Sequence, residues 1–351
     1  MPKYYMDDNG KCWERKEDLF YPGHPDYMQV WIPAPYYANN LNAYLFFGPN
    51  IHIEPTDKPI CLNVPELKQG SSALDGGYLT LTEDEKNELL RTDPDAEILL
   101  RPFMMGKDFI NRKPRWCLWL LGVEPADIRK CPRVLERIER VREFRLKSKR
   151  KGTLKAAETP ALFSERRFSR TDYLAIPVVS SSTRQYIPID WLKAEIIPGN
   201  KIFFCENANL YQFGILNSVV HMSWVRKISG RLRNDYSYSN TIDYNAFPWP
   251  NDYDMRHGER ERIESTAQMI LDARAKYPRS SLADLYDERT MPPELRKAHK
   301  LNDSAVLEAY GFEQDTSELD IVIALMYMYK DITGCEEYGP NGELIDDPYD
   351  Y

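Results

Sequence analysis

A chain of 351 residues with 42% hydrophobic and 12% aromatic side chains can bury a core large enough for two domains, which excludes an intrinsically disordered polymer. Its formal charge of -8 excludes a uniformly basic protein, yet the charge is uneven: residues 129–155 carry twelve Lys/Arg against three Glu, +9 locally, leaving -17 elsewhere. The chain has no secretory h-region and no run of about 18 apolar residues, so a soluble, cytoplasmic protein with no membrane partner is expected.

Residues 1–40 are polar and rich in Tyr, Asp and Pro, and read as an irregular lead-in. Residues 41–82 mix short apolar runs (43–47, 51–53, 78–81) with Pro and Gly, a strand-and-turn composition. Thr82 followed by Glu85 predicts a capped helix running to about Arg91. The run 115–123, RWCLWLLGV, predicts a buried strand. From Pro125 to Lys151 the spacing predicts one long helix. Val134, Ile138 and Val141 mark its core face, and Arg133, Arg137, Arg140, Lys147 and Lys151 line an outward basic face.

Strand composition returns at 173–179, 186–189 and 201–205, followed by a helix over about 213–228 and a glycine at 230. The segments 247–250 (FPWP) and 251–258 read as a domain boundary. Three helical patterns follow at 259–276, 293–310 and 317–333, before an acidic tail over 334–351. The expected fold class is α+β: a mixed strand and helix domain over 41–250, then a small all-helical domain over 258–333.

Most familiar chemistries find no support. Neither GxxxxGK[ST] nor GxGxxG occurs. Asp57 with Glu66-Leu67-Lys68 loosely matches a metal-nuclease spacing, but Pro65 suits a central strand poorly. Asn245-Ala-Phe-Pro-Trp249 has the letters of a flipped-base turn in the wrong order, and a proline-and-aromatic hinge explains it better. His221 reads as a packed core residue, and His299 has no evident ligand partner. Cys12, Cys61, Cys117, Cys131, Cys205 and Cys335 form no CxxC pair and no metal spacing, so reduced thiols and no bound metal are expected.

Nucleic-acid recognition requires cations for phosphates and base-edge groups for sequence. Residues 129–155 supply the first. The segment 230–239 supplies the second: on an extended strand Arg233 and Asp235, two apart, point the same way. Arg can fork onto guanine O6 and N7, and a carboxylate can accept from cytosine N4. A surface ion pair of little energetic value explains the same two residues equally well.

Motifs recur in order along the chain: Phe109-Ile-Asn-Arg-Lys-Pro-Arg-Trp-Cys-Leu-Trp119, Tyr186-Ile-Pro-Ile189, Ser218 with His221 and Trp224, Gly230-Arg-Leu232 with Asp235, the segment from Tyr244 to Pro250, Ser281-Leu-Ala-Asp-Leu-Tyr286, Met291-Pro292 and Lys297-Ala-His299. Together, over about 41–333, they resemble the C-terminal part of the MmeI-like (type IIL) restriction–modification enzymes. That family joins a nuclease, a helical connector, an adenine-N6 methyltransferase, a target-recognition domain and a terminal helical domain on one polypeptide. The resemblance implies a DNA-recognition module without the catalytic parts. Its partners would be double-stranded DNA and a methyltransferase core that uses S-adenosylmethionine. A free-standing specificity subunit docking on a separate methyltransferase is the alternative. The resemblance also implies that Arg233 and Asp235 read an outer base pair. The candidate DNA contacts are Arg231, Arg233, Asp235, Ser237, Arg184, Arg140, Lys147, Arg150 and Lys151. Two positions depart from the family's habit: Ser237 where Arg is common, and Ser182 where Glu is common.

Overall fold

The structure is a computed structural model that describes residues 5–6, 12–13, 42–113, 115–250, 256–338 and 344. In chain order the elements are β1 (Tyr5–Met6), β2 (Cys12–Trp13), β3 (Leu67–Gln69), β4 (Thr80–Leu81), α1 (Glu83–Thr92), β5 (Leu100–Met104), α2 (Gly106–Asn111), β6 (Arg115–Leu118), α3 (Pro125–Arg129), α4 (Pro132–Leu146) and α5 (Lys151–Ala156). There follow β7 (Tyr173–Pro177), β8 (Val179–Ser180), β9 (Asp190–Leu192), β10 (Ile197–Pro198), β11 (Ile202–Cys205), α6 (Leu210–Leu216), α7 (Val219–Ile228), β12 (Gly230–Leu232) and β13 (Asp235–Ser237). A π-turn (Asn240–Tyr244), α8 (Glu259–Ala275), α9 (Leu282–Leu285), α10 (Pro293–Ala309) and α11 (Glu318–Thr333) complete the chain. The mixture of small sheets and a helical C-terminal region is the expected α+β class.

Two compact units form, each discontinuous in sequence. One comprises 65–208 and 278–291, the other 1–64, 209–277 and 292–351. A single cut near residue 250 therefore does not separate them. The segment read as a boundary, 247–250, is buried within the second unit, where Phe247 meets His221, Trp224, Trp249 and Tyr310 edge-on. The lead-in over 1–40 lies outside the described residues except for the antiparallel pair β1–β2. The tail lies outside them except for 334–338 and Leu344.

The first unit is built on two four-stranded sheets. One runs β10-β5-β6-β4, with only the β10–β5 pairing parallel. The other, β3-β11-β7-β9, is antiparallel throughout. Of the run 115–123 expected as a strand, only residues 115–118 form one, with Cys117 and Leu118 fully buried, and the chain turns at 121–122. α1 starts as its sequence requires: Thr82 and Glu85 form a reciprocal capping box. Residues 186–189 are buried but join no strand. The ladder there begins only at Asp190.

The predicted long helix from 125 to 151 is three helices. Pro132 removes a backbone donor and disfavours helical geometry at Cys131, separating α3 from α4. Asp93 then accepts the Arg133 N–H at 2.7 Å, satisfying a free donor of α4's first turn. After Leu146 the chain turns again, with the Ser148 hydroxyl accepting from the Arg150 N–H. Val134 and Val141 face the core with full burial, as the spacing predicts.

Arg145 is the exception to α4's basic surface. It is completely buried, and its five N–H donors reach five backbone carbonyls. Nε donates to Leu74 (2.9 Å), Nη1 to Ala156 (2.7 Å) and Thr159 (3.1 Å), and Nη2 to Ala73 and Leu162 (both 2.8 Å). One side chain thereby pins α4 to the 73–74 loop and to the 156–162 turn.

In the second unit, the expected helix over 213–228 is two helices. Ser218, extended at φ -107° and ψ 162°, caps α7 through the His221 N–H. α8, α10 and α11 appear where the periodicity places them. α6 crosses α8 so closely that a Cβ on Gly214 would stand 2.6 Å from Ile263 Cγ2. No strand forms at 43–47 or 51–53. Ile51 makes only an isolated bridge to Glu337. His221 is fully buried, 3.0 Å from the Tyr238 hydroxyl, and burial pushes its pKa down to about 3. α9, in the first unit, escaped the sequence pattern because it has only four residues, although Ser281 and Asp284 cap it.

Arg145→Met should lower the unfolding free energy by about 3–5 kcal/mol, because five buried carbonyls lose their donors; denaturant titration reads this. His221 stays neutral in the folded state while the unfolded chain takes a proton below its ordinary value. Its contribution is therefore present at neutral pH and lost as pH falls below about 6.5. The unfolding free energy of the wild type relative to His221→Gln should rise by about 1.4 kcal/mol per pH unit between about pH 4 and 6. Paired denaturation series across pH measure it.

Candidate nucleic-acid interface

Positive charge in the first unit divides into bound and unbound groups. Arg133 and Arg140 share Glu136, at 3.1 and 3.4 Å, and Arg137 approaches Glu85 at 3.6 Å while donating to the Tyr78 carbonyl. These arginines line one wall of a cleft of about 690 Å³ between α1 and α4, where Glu85, Glu88 and Glu136 offset their charge. Beyond that cleft the balance changes. Arg142, Lys147, Lys149, Arg150, Lys151 and Lys155 are exposed and form no ion pair among the described residues. The uncompensated cations are thus concentrated at the end of α4, in the following turn and on α5.

Of the sequence-predicted contacts in this unit, Lys147, Arg150 and Lys151 belong to the unpaired cluster. Arg140 is exposed but tied to Glu136. Arg184 is half-buried in the 181–184 turn, where its N–H donates to the Ser181 carbonyl. Asp287 is held at about pKa 2 by Arg289 hydrogen bonds, with a smaller contribution from Arg184. Lys68, whose spacing from Asp57 and Glu66 loosely matches a nuclease lysine, is ion-paired to Glu206 at 2.7 Å. No group of three or more His, Cys, Asp or Glu side chains suited to a metal occurs among the described residues.

The second unit holds the hairpin. β12 and β13 pair antiparallel, with Gly230 opposite Ser237, Arg231 opposite Tyr236 and Leu232 opposite Asp235. Arg233 and Asn234 form its two-residue loop. This corrects the expectation that Arg233 and Asp235 share one face of a single strand. A two-residue hairpin must reverse with positive φ, and Arg233 takes that conformation at φ 59°. Arg233 is consequently the exposed tip, without a side-chain hydrogen bond or ion pair among the described residues.

Strand alternation sorts the remaining side chains. Leu232, Asp235 and Ser237 lie on one face, and Leu232 is 56% exposed. Arg231 and Tyr236 lie on the other. The Arg231 guanidinium sits 4.0 Å from the Tyr236 ring centroid and donates to the Arg226 carbonyl at 2.8 Å. Tyr236 is buried, so this face is the hairpin's attachment, while Leu232 on the other face is exposed.

Sequence reasoning missed what holds the hairpin's feet. Asp243, on the π-turn, is fully buried. Its Oδ2 accepts from the Ser239 N–H at 2.5 Å and the Ser229 hydroxyl at 3.1 Å, just beyond β13 and just before β12. A lone acid in the otherwise uncharged stretch 236–250 was the available signal. Among the described residues no helix is long and apolar enough to cross a membrane.

Comparisons with known proteins identify the family. Residues 47–251 match the family described as "MmeI, target recognition domain", and residues 255–335 match "MmeI, C-terminal domain". The chain is 36% identical over 296 residues to DNA methyltransferase A of Bacillus subtilis (strain 168), which covers 84% of this chain and 33% of that protein. It also superposes on a solved structure described as the type IIL restriction-modification enzyme MmeI in complex with DNA. The TM-score is 0.82 at 40% identity, over 85% of this chain and 39% of that one. The chain thus spans about a third of the length of the curated relative it matches. By both domain matches, the chain belongs to the MmeI family and carries its target recognition and C-terminal domains.

Proposed function

We propose that this chain is the sequence-reading part of an MmeI-type DNA methyltransferase or restriction–modification enzyme, and that it binds double-stranded DNA without acting on it. The observation that carries this is the match of 47–251 to a target recognition domain, in a fold shared with an enzyme solved on DNA. The surface chemistry supports it. Arg233 at the hairpin tip offers a fork for guanine, the Asp235 carboxylate an acceptor for cytosine N4, and exposed Leu232 an apolar contact for a thymine methyl. Ser237, on the same face, supplies a hydroxyl. The unpaired cations from Arg142 to Lys155 neutralise phosphates and carry no sequence information. Methyl transfer from S-adenosylmethionine falls to a methyltransferase core, in the same polypeptide or in a separate subunit.

Selection from a random duplex pool tests the reading. The wild-type chain should enrich one defined motif. Arg233→Ala with Asp235→Ala should enrich a motif altered at one base pair. Enrichment of no motif by the wild type, or equal loss of binding on every sequence by the variant, contradicts it. Replacing Lys147, Lys149 and Arg150 by Ala should weaken all sequences alike. The slope of log affinity against log salt should fall by about 2–3, roughly 0.9 for each phosphate no longer neutralised. Incubation with labelled S-adenosylmethionine and the selected DNA should give no methyl transfer by the chain alone.

A further inference from the structure

We infer that Asp243 is a positioning residue for the β12–β13 hairpin, acting through Ser229 and Ser239 to set the pose from which the hairpin discriminates DNA sequences. The inference rests on the reading of that hairpin as a DNA contact.

Both chain crossings at the hairpin's root converge on one carboxylate oxygen. Ser239, two residues beyond β13, donates its N–H to Oδ2 at 2.5 Å, and Ser229, one residue before β12, donates its hydroxyl at 3.1 Å. The Ser229 hydroxyl has a single proton and two other acceptors within reach: the Ser237 carbonyl at 3.2 Å and the Gly230 carbonyl at 3.4 Å. An ionised Asp243 draws that proton to itself. A protonated Asp243 can instead donate to Ser229 Oγ, freeing the Ser229 proton for Ser237. The protonation state of the clamp is thereby felt at Ser237 and Gly230, the first pair of the hairpin ladder.

The site makes this choice finely balanced. Asp243 Oδ1 is buried without a hydrogen-bond partner. A carboxylate left half-satisfied away from water is costly, and burial pushes its pKa up to about 7, against the lowering pull of Ser239, Ser229 and the Arg231 charge. The other groups nearby are not free to offset it. On α7, His221 is neutral and bound to Tyr238, and Arg226 pairs with Glu318. On β13, Tyr236 lies under Arg231. In the selective complex, where the hairpin is seated against the polyanion, the carboxyl pKa rises further, so selective binding takes up a proton and weakens as pH rises through about 7.

Two readouts test the inference. In the DNA-free protein, amide exchange over 230–239 should speed up about tenfold or more in Asp243→Ala, which loses charge-assisted bonds, and stay near wild type in Asp243→Asn, which keeps an acceptor for Ser239. On DNA, the wild-type preference for the selected motif over random duplex should fall between pH 6 and 8. In Asp243→Asn it should be flat, and in Ser229→Ala the pH dependence should shrink. Superimposable pH profiles for wild type and Asp243→Asn, or unchanged hairpin exchange in Asp243→Ala, would overturn it. Should Asp243→Ala not fold, Asp243→Asn and Ser229→Ala carry the test alone. Altered exchange without selective DNA binding by any form keeps the clamp and refutes the DNA reading of the hairpin.

Discussion

A guanidinium taken wholly out of water must find a partner for every donor, and Arg145 finds five backbone carbonyls. Among the described residues no carboxylate hydrogen-bonds it, so the charge is solvated by peptide dipoles from two separate stretches of chain, 73–74 and 156–162. That requirement fixes where α4 ends relative to the 73–74 loop and the 156–162 turn. It also fixes what surrounds it. With Arg145 turned inward, the neighbouring cations at Lys147, Lys149, Arg150 and Lys151 are presented on a turn whose backbone is already committed. A cluster of like charges repels itself, and the backbone that carries this one is held by a saturated network rather than by a surface ion pair.

The hairpin of the second unit solves a related problem with different chemistry. β12–β13 gains a buried aromatic in Tyr236, a cation held over that ring, and a fully buried acid beneath its feet. All three lie on the attachment side or at the root. The tip is left exposed, and Arg233 is held there in a conformation that non-glycine residues seldom adopt. Strain at an exposed tip is tolerated when the root is over-determined.

How much of this was legible in the sequence depended on the range of the interaction. Local signals carried over directly: the Thr82–Glu85 box, the first half of the strand read at 115–123, the valine spacing of α4 and the three C-terminal helices are each set within a few residues. The ordered motifs carried the family. Periodicity ran past Pro132 and Ser148 because it records faces, not breaks, and so three helices looked like one. Arg145 looked like one more surface cation because nothing adjacent reveals five carbonyls converging on it. Arg233 and Asp235 were recognised as a pair, but their relation was misjudged. Whether two such residues share a strand or straddle a turn is decided by the pairing of Leu232 with Asp235, which depends on the register rather than on the letters. Asp243 went unnoticed for the same reason: its partners are ordinary serines whose convergence is a property of the fold.

The central claim is that the hairpin tip meets base edges and not only phosphates. Cross-linking from the tip tests it most directly. An Arg233→Cys chain, carrying no other accessible change, is mixed with the selected duplex bearing, on a single major-groove base moved one position at a time, a tether that ends in a mixed disulfide whose small thiol leaves on exchange. The account expects a disulfide at one or two adjacent base pairs within the motif, and none at tethers placed outside it. Cross-links spread evenly along the duplex, or confined to tethers on the phosphate backbone, would contradict it.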